Sequence, residues 1–396
     1  MTAVDSPFGA GEFAARHARV AERMDELGLD ALLAYSTAKV RGVVRWLANY
    51  STRHSGMQTR PDGSYTQYGS AALMFTGDGE FELLIDQDWD LDRARSVSIA
   101  STTSFVESLG DELGRRLAAA GHRRVGVDNW FVFPAQHYLA IREAAPGVEL
   151  VPTQLVEQLY KVKSPAEIDL MRRAEEAAIL ALEDTAQAVT VGASERDIAL
   201  AGEVALRTHG DLDTAGPTVI RAGPATSLAM GLPGREDAHV MRSGDWAMID
   251  ITPAWKGYAG DISRMVVAGS LDDVDPRLRR LHDVAVQINE TLLAEIRPGV
   301  APSELTALAG ELAAQEGLGE NLSGLIGHGL GLDIHDPPDY YHDRDPLEPN
   351  VVLTVEPCLT IAGLGGARVE DLVVVTDGGC EVLSAACPKE LRAGPA

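Results

Sequence analysis

Trp246-Ala247-Met248-Ile249-Asp250-Ile251 reads as a buried strand with one residue out of place, a carboxylate inside an otherwise apolar run. Asp261 lies 11 residues on and opens a second such run, Asp261-Ile262-Ser263-Arg264-Met265-Val266-Val267. Pro253 and Gly257 between the runs mark a turn, so the two segments are expected to pair as antiparallel neighbours. The pattern then returns. Val351-Val352-Leu353-Thr354-Val355-Glu356 ends on an acid, and Glu370 follows in Arg368-Val369-Glu370-Asp371-Leu372-Val373-Val374-Val375. The acids recur at offsets of 106 (Asp250 to Glu356) and 109 (Asp261 to Glu370). A helical stretch, Ala199-Leu200-Ala201-Gly202-Glu203-Val204-Ala205, recurs as Ala307-Leu308-Ala309-Gly310-Glu311-Leu312-Ala313 at an offset of 108. Two pseudo-equivalent halves, each a helix pair followed by a strand pair, therefore supply two carboxylates apiece.

Isolated carboxylates on buried strands are costly, and are paired, protonated or bound to a cation. Arg264 and Arg368 flank the runs, but two cations cannot neutralise four buried acids. Between the strand pairs lies Gly327-His328-Gly329-Leu330-Gly331-Leu332-Asp333-Ile334-His335-Asp336-Pro337-Pro338, in which the glycines around His328 allow close backbone approach. Four carboxylates and one imidazole form an oxygen-rich donor set suited to Mn²⁺, Co²⁺ or Fe²⁺ in a dinuclear site, and too oxygen-rich for a typical structural zinc site.

Upstream, the pattern is different. A helix is expected over residues 12–28, then short apolar runs at Ala31–Tyr35, Ala71–Phe75, Phe81–Ile85 and Arg124–Val127 with helical stretches such as Asp111–Ala120 between them. This alternation predicts an α/β domain over residues 1–155, ahead of a catalytic domain at 156–396. Residues 153–163 are expected as linker, and Ser164-Pro165-Ala166-Glu167 has the form of a capping box opening a long helix that runs to about Val189.

The 396 residues carry 34 Lys+Arg against 59 Asp+Glu, a formal charge of −25, which argues against a nucleic-acid or anionic-membrane binder. No apolar run approaches the ~20 residues of a membrane span, and the N-terminus shows no signal-peptide pattern. Three cysteines, Cys358, Cys380 and Cys387, lack metal-type spacing and fit a reducing compartment, so a cytoplasmic location is expected.

The linker KVKSPAEIDLMRRA and the segments GDWAMIDITPAWKGYAGDISRMVVAG, GHGLGLDIHDPP, LTVEPCLTI and GARVEDLVVVTDGG together resemble the pita-bread metalloenzyme superfamily, in its aminopeptidase P, prolidase and creatinase branch. Residues 1–155 resemble the N-terminal domain of that branch, which methionine aminopeptidases lack. The resemblance implies an α/β N-terminal domain followed by an α+β pita-bread catalytic domain with an internal pseudo-twofold repeat. It implies that Asp250, Asp261, His328, Glu356 and Glu370 hold two divalent metal ions, manganese first, with Co, Fe or Zn as other candidates. Asp261 and Glu370 would bridge the metals, Asp250 would bind one, and His328 and Glu356 would complete the other. Glu356 corresponds to the glutamate that takes the proton of a metal-activated water, His335 to a histidine near the substrate carbonyl or leaving group, and Arg368 to an arginine holding active-site acids. Arg53 and His54 fall where members of the branch place a loop that reaches a partner's site, implying a homodimer and a role in substrate binding.

The chain also departs from the family. The histidine that peptidases of this family carry ahead of the first ligand strand falls at Met230 to Pro233, and His239 is too close to Asp250 to replace it. Asn350 stands for a turn glycine, Cys358 follows Glu356-Pro357, and residues 339–345 form either a solvated loop or a substrate lid. The function implied is metal-dependent hydrolysis of a C–N bond in a short-peptide or small amide substrate, of the Xaa-Pro peptidase type. The alternatives are a creatinase-like or ectoine-hydrolase-like amidohydrolase, a metal-dependent lyase (weakened by Thr252 at the position of the lyases' extra acid), and an inactive binding module.

Overall fold

The computed structural model describes residues 6–59, 63, 65–77, 80–228 and 239–395. The chain divides into two compact units, Met1–Tyr160 and Lys161–Ala396.

The first unit is built on a mixed six-stranded sheet with strands in the spatial order Thr102–Phe105, Phe81–Ile85, Ser70–Phe75, Ala31–Thr37, Arg124–Asp128, Glu149–Thr153. The apolar runs legible in the sequence are its four inner strands. The helix Leu109–Ala120 turns Leu113 and Leu117 onto Leu33, Val125 and Val127. Gly114 lets that helix approach Ala135–Ala144, because a Cβ there would lie 2.8 Å from that of Ala144. The stretch expected as linker is not extended: residues Leu155–Tyr160 form a helix of this unit. Asp128 explains why. Its carboxylate accepts the N–H groups of Leu155 (3.1 Å) and Val156 (2.6 Å), satisfying donors that the first helical turn leaves unpaired.

The second unit opens on Ser164, whose hydroxyl accepts the Glu167 N–H while Glu167 returns a bond to the Ser164 N–H, the capping box read from the sequence. The helix Pro165–Ala186 ends three residues before the expected Val189. With Glu195–His209 it covers one face of a four-stranded sheet ordered Arg392–Ala393, Ile262–Val267, Trp246–Ile251, Val219–Ala222. The second half repeats the plan: helices Pro276–Glu295 and Pro302–Gln315, then a five-stranded sheet ordered Asp336–Asp339, His328–Gly329, Val352–Val355, Asp371–Thr376, Gly379–Val382. Alternation along Trp246–Ile251 divides the strand between two cores. Ala247, Ile249 and Ile251 pack with Leu182, Ile198 and Leu206, while Trp246 and Met248 pack with Leu281, Ile288, Leu353 and Val373. Each fully buried Leu or Ile contributes roughly 1.5–3 kcal/mol of transfer free energy. This two-sided burial holds the strand rigidly.

Candidate metal centre

The two halves meet where strand Ile262–Val267 touches the start of Asp371–Thr376 through a bridge between Ser263 and Glu370, the Glu370 N–H donating to the Ser263 carbonyl at 3.1 Å. Register brings the acids to this seam. Asp250 pairs with Ser263, and Val355, next to Glu356, pairs with Asp371, next to Glu370. Asp250, Asp261, Glu356 and Glu370 are all buried, the least of them 8% exposed, around one cavity of about 130 Å³ that His328, His335, Arg368 and Thr252 also line. Pro217, Val219, Leu325 and Ile334 form its apolar wall.

One atom from each of Asp261, His328 and Glu370 lies within 4.8 Å of the others. His328 Nε2 stands 3.4 Å from Glu356 Oε1 and 3.7 Å from Asp261 Oδ2. Its Nδ1 lies 3.0 Å from the Gly329 carbonyl, which can only accept, so Nδ1 carries the proton and Nε2 turns its lone pair toward the acids. The glycines act as expected: a Cβ on Gly329 would overlap the carbonyl oxygens of Asp336 and Pro337. Asn350, expected from the resemblance to stand for a turn glycine, occupies the left-handed region (φ 70°).

The electrostatics are those of a site built for cations. Arg368 donates to Asp250 Oδ2 at 2.7 Å and lies 3.2 Å from Glu356 Oε2. Glu356 Oε1 and Glu370 Oε2 are buried with no hydrogen-bond partner among the described residues. Burial, then the neighbouring carboxylates, holds Asp261 and Glu370 well above the ordinary carboxylate range. Burial raises Asp250 to about 6 against the opposing pull of Arg368. Burial lowers His328 to about 4, keeping the imidazole neutral and able to ligate. Orphaned carboxylate oxygens facing a neutral imidazole lone pair fit divalent cations.

The other candidate residues are distributed as follows. His335 stands at the cavity edge with its ring centroid 4.1 Å from that of His328, its pKa lowered first by burial and then by His328. Arg264 does not serve the site acids: it donates to Asp371 Oδ1 at 2.7 Å and to the carbonyls of Glu370, Cys387 and Pro388. Arg53 and His54 lie in the first unit, ahead of the hairpin Gly56–Thr59/Tyr65–Tyr68, with His54 Nε2 3.2 Å from the Tyr68 hydroxyl. His239 is engaged with Asp245 Oδ2 at 2.8 Å, and Met230 to Pro233 fall outside the described residues. In the 339–345 segment, Tyr340 is buried with its hydroxyl donating to the Thr354 carbonyl at 2.9 Å, and Asp339 pairs with His342. Sequence reasoning missed Glu175, fully buried, whose carboxylate accepts the Asp261 N–H at 2.9 Å. Its signal was present, since Glu175 falls on the stripe Ile168, Met171, Glu175, Ala178, Leu182 of an amphipathic helix.

No described helix is long and apolar enough to cross a membrane. Residues 16–159 match the creatinase/prolidase N-terminal domain. The chain is 28% identical over 371 residues to the Xaa-Pro dipeptidase of Pyrococcus horikoshii, covering 92% of this chain and 95% of that one. It is 29% identical over 231 residues to the Xaa-Pro dipeptidase of Pyrococcus furiosus, a match to 58% of this chain that spans 65% of that protein's length. A solved Xaa-Pro dipeptidase from Bacillus anthracis superposes with a TM-score of 0.81 at 25% identity, over 96% of this chain and 99% of that one. The architecture is the pita-bread fold, and with residues 169–377 matching the family, the chain belongs to metallopeptidase family M24.

Proposed function

We propose that this chain is an Xaa-Pro dipeptidase-like hydrolase working at a dinuclear metal centre held by Asp250, Asp261, His328, Glu356 and Glu370. The observation that carries the reading is the convergence of four buried acids, two with orphaned oxygens, on one neutral imidazole around a single small cavity. The similarity to Xaa-Pro dipeptidases over nearly the whole chain supports the substrate class. Manganese is the metal we favour for an oxygen-rich set, with Co²⁺, Fe²⁺ or Zn²⁺ as the other ions to test.

When bound, two cations supply Lewis acidity that lowers the pKa of an attacking water and stabilises charge developing on the scissile carbonyl oxygen. The chain's own residues do the rest. Glu356 Oε1, buried and unpartnered, is placed to take the water's proton and pass it to the leaving nitrogen. His335 at the cavity edge is placed to donate to the substrate carbonyl or the leaving group. Arg368 holds Asp250 and Glu356 in fixed orientations. The wall of Pro217, Val219, Leu325 and Ile334 accepts an apolar ring and excludes water. We place Arg53 and His54 in substrate binding and the active form as a cytoplasmic homodimer.

The test is turnover of Leu-Pro, Met-Pro and Leu-Ala by protein loaded with Mn²⁺, alongside size-exclusion chromatography with light scattering. Hydrolysis of the prolyl dipeptides with little cleavage of Leu-Ala is expected. Failure to cleave any of them at two bound Mn²⁺ per chain rejects the assignment.

A further inference from the structure

Asp261 is gripped at both ends by side chains outside the proposed ligand set. The Thr252 hydroxyl donates to Asp261 Oδ1 at 3.1 Å, and Glu175 Oε2 accepts the Asp261 backbone N–H at 2.9 Å. All three residues are buried, at 3% exposure or less. The two anchors come from different elements: Glu175 from the helix Pro165–Ala186, Thr252 from the residue that follows strand Trp246–Ile251. Gly260 makes the Glu175 contact possible, because a Cβ there would lie 2.7 Å from the Glu175 backbone nitrogen. Without a side chain at 260, the strand entry presses directly onto the helix and delivers the Asp261 N–H to Glu175.

We infer that Glu175 and Thr252 are positioning residues that fix the carboxylate of Asp261 in its cation-binding orientation. This rests on the reading of Asp261 as a metal ligand. An aspartate that would hold a cation needs its carboxylate aimed, and free rotation about χ1 and χ2 opposes that. The Thr252 bond restrains one oxygen, and the Glu175 bond restrains the backbone from which the side chain springs. Groups that orient ligands in this way typically change metal affinity 10–100-fold when removed. Thr252 also lines the cavity.

The experiment measures Mn²⁺ binding to the full chain by electron paramagnetic resonance and calorimetry, with circular dichroism melts as the control for folding. Glu175→Leu and Thr252→Val are each expected to weaken one Mn²⁺ site about 10–100-fold. Glu175→Gln keeps a carbonyl acceptor for the Asp261 N–H and Thr252→Ser keeps the hydroxyl, so both are expected to stay within a few-fold of the parent. Affinities for Leu and Val variants equal to the parent's overturn the inference, as does a loss in the Gln and Ser variants matching that in Leu and Val. The Gln and Ser variants also keep the test decisive should Glu175→Leu fail to fold. Asp261→Ala separates the two readings. If it binds two Mn²⁺ as the parent does, Asp261 is not a ligand and the metal-centre assignment falls. If it loses Mn²⁺ while Glu175→Leu and Thr252→Val do not, only the positioning role falls.

Discussion

Arg368 and Asp250 come from the two different halves of the repeat and meet at 2.7 Å through Nη1 and Oδ2. The same nitrogen lies 3.2 Å from Glu356 Oε2, so one buried guanidinium ties the first acid of each strand pair to the other. Arg368 reaches them from the hairpin Cys358–Ile361/Gly365–Arg368, in which it pairs with Cys358. Its charge offsets part of the repulsion among four carboxylates before any cation arrives.

Arg368→Met is therefore expected to leave Asp250 and Glu356 facing each other with no compensating charge. Breaking a buried ion pair from one side costs about 3–5 kcal/mol. A fall in chemical-denaturation stability of that order is expected for the metal-free protein, recovered in part at saturating Mn²⁺. Arg368→Lys, which keeps a charge but loses the planar fork, is expected to fall between the two. A metal-free Arg368→Met protein as stable as the parent rules out this role.

Cation uptake is expected to depend on pH. Burial raises Asp250 to about 6 and holds Asp261 and Glu370 above the ordinary carboxylate range, so the metal-free site carries more protons than the same acids in an unfolded chain. Two signs follow. The metal-free protein loses stability as pH rises from about 4 through 6 and beyond, because the folded state then holds more protons than the unfolded one. Mn²⁺ affinity rises over the same window, because each bound cation displaces protons. Calorimetry in two buffers of different ionisation enthalpy at pH 6 is expected to show proton release on binding. Chelation at pH 7.5 is expected to remove about 2.7 kcal/mol of stability for each site held at a hundredfold excess of free Mn²⁺ over its dissociation constant. Zero proton release at pH 6 contradicts the assignment of these acids to the site.

Much of this centre was legible in the chain because strand periodicity exposes misfits. A carboxylate at Asp250 in an apolar run, repeated at Glu356, has no bland explanation once four such acids recur at matching offsets. Capping chemistry at Ser164 was legible for a similar reason, since two short-range bonds fix the helix start regardless of tertiary context. Three features were not. Arg264 and Arg368 look equivalent by residue type and spacing; the family resemblance marks Arg368 alone, and it takes the fold to show that Arg264 turns to Asp371 instead of the site. Glu175 lay hidden in an Ala-rich helix where glutamate is an ordinary helix former, although its place on the apolar stripe marked it as buried. The helix Leu155–Tyr160 looked like linker because its N-terminal cap, Asp128, is distant in sequence.

Asp128 is also part of a buried acidic pair in the first unit. Glu157 accepts the Asn129 N–H at 3.2 Å, and burial, followed by the charge of Asp128, raises its pKa to about 8. A carboxyl raised in the folded state favours folding at low pH. That contribution is lost as pH climbs from about 4.5 toward 8. Glu157→Gln removes the ionisation while keeping an acceptor for Asn129. The variant is expected to match the parent near pH 5 and to melt at least about 2–4 °C higher at pH 8.5, the shift that ~1 kcal/mol produces in a domain of this size. A parent-minus-variant difference that stays constant between pH 5 and 8.5 rejects the buried-pair account.

Gly329 carries a severe steric requirement next to the centre. The strands His328–Gly329 and Asp336–Asp339 are neighbours with a register shift between His328 and Gly329, and the carbonyls of Asp336 and Pro337 fill the space a Cβ would need. Both obstacles are backbone, which cannot rotate aside as a side chain would. Gly329→Ala must therefore push the two strands apart. Strand His328–Gly329 carries the proposed imidazole ligand, and the segment before Asp336 carries His335, so the displacement separates the two rings now 4.1 Å apart. Leu330 and Leu353 behind the strand stay buried, and the fold is expected to survive with a loss of about 1–3 kcal/mol, typical of overpacking. Mn²⁺ affinity and prolyl-dipeptide turnover are both expected to drop at least 10-fold, with the loss in kcat rather than in KM alone, because the misplaced groups are those that act on the reacting bond. Gly310→Ala, on an open helical face where a Cβ meets nothing within 4 Å, is the matched control and is expected to leave both unchanged. Normal metal binding and turnover in Gly329→Ala rule out the dependence of the imidazole on this close approach.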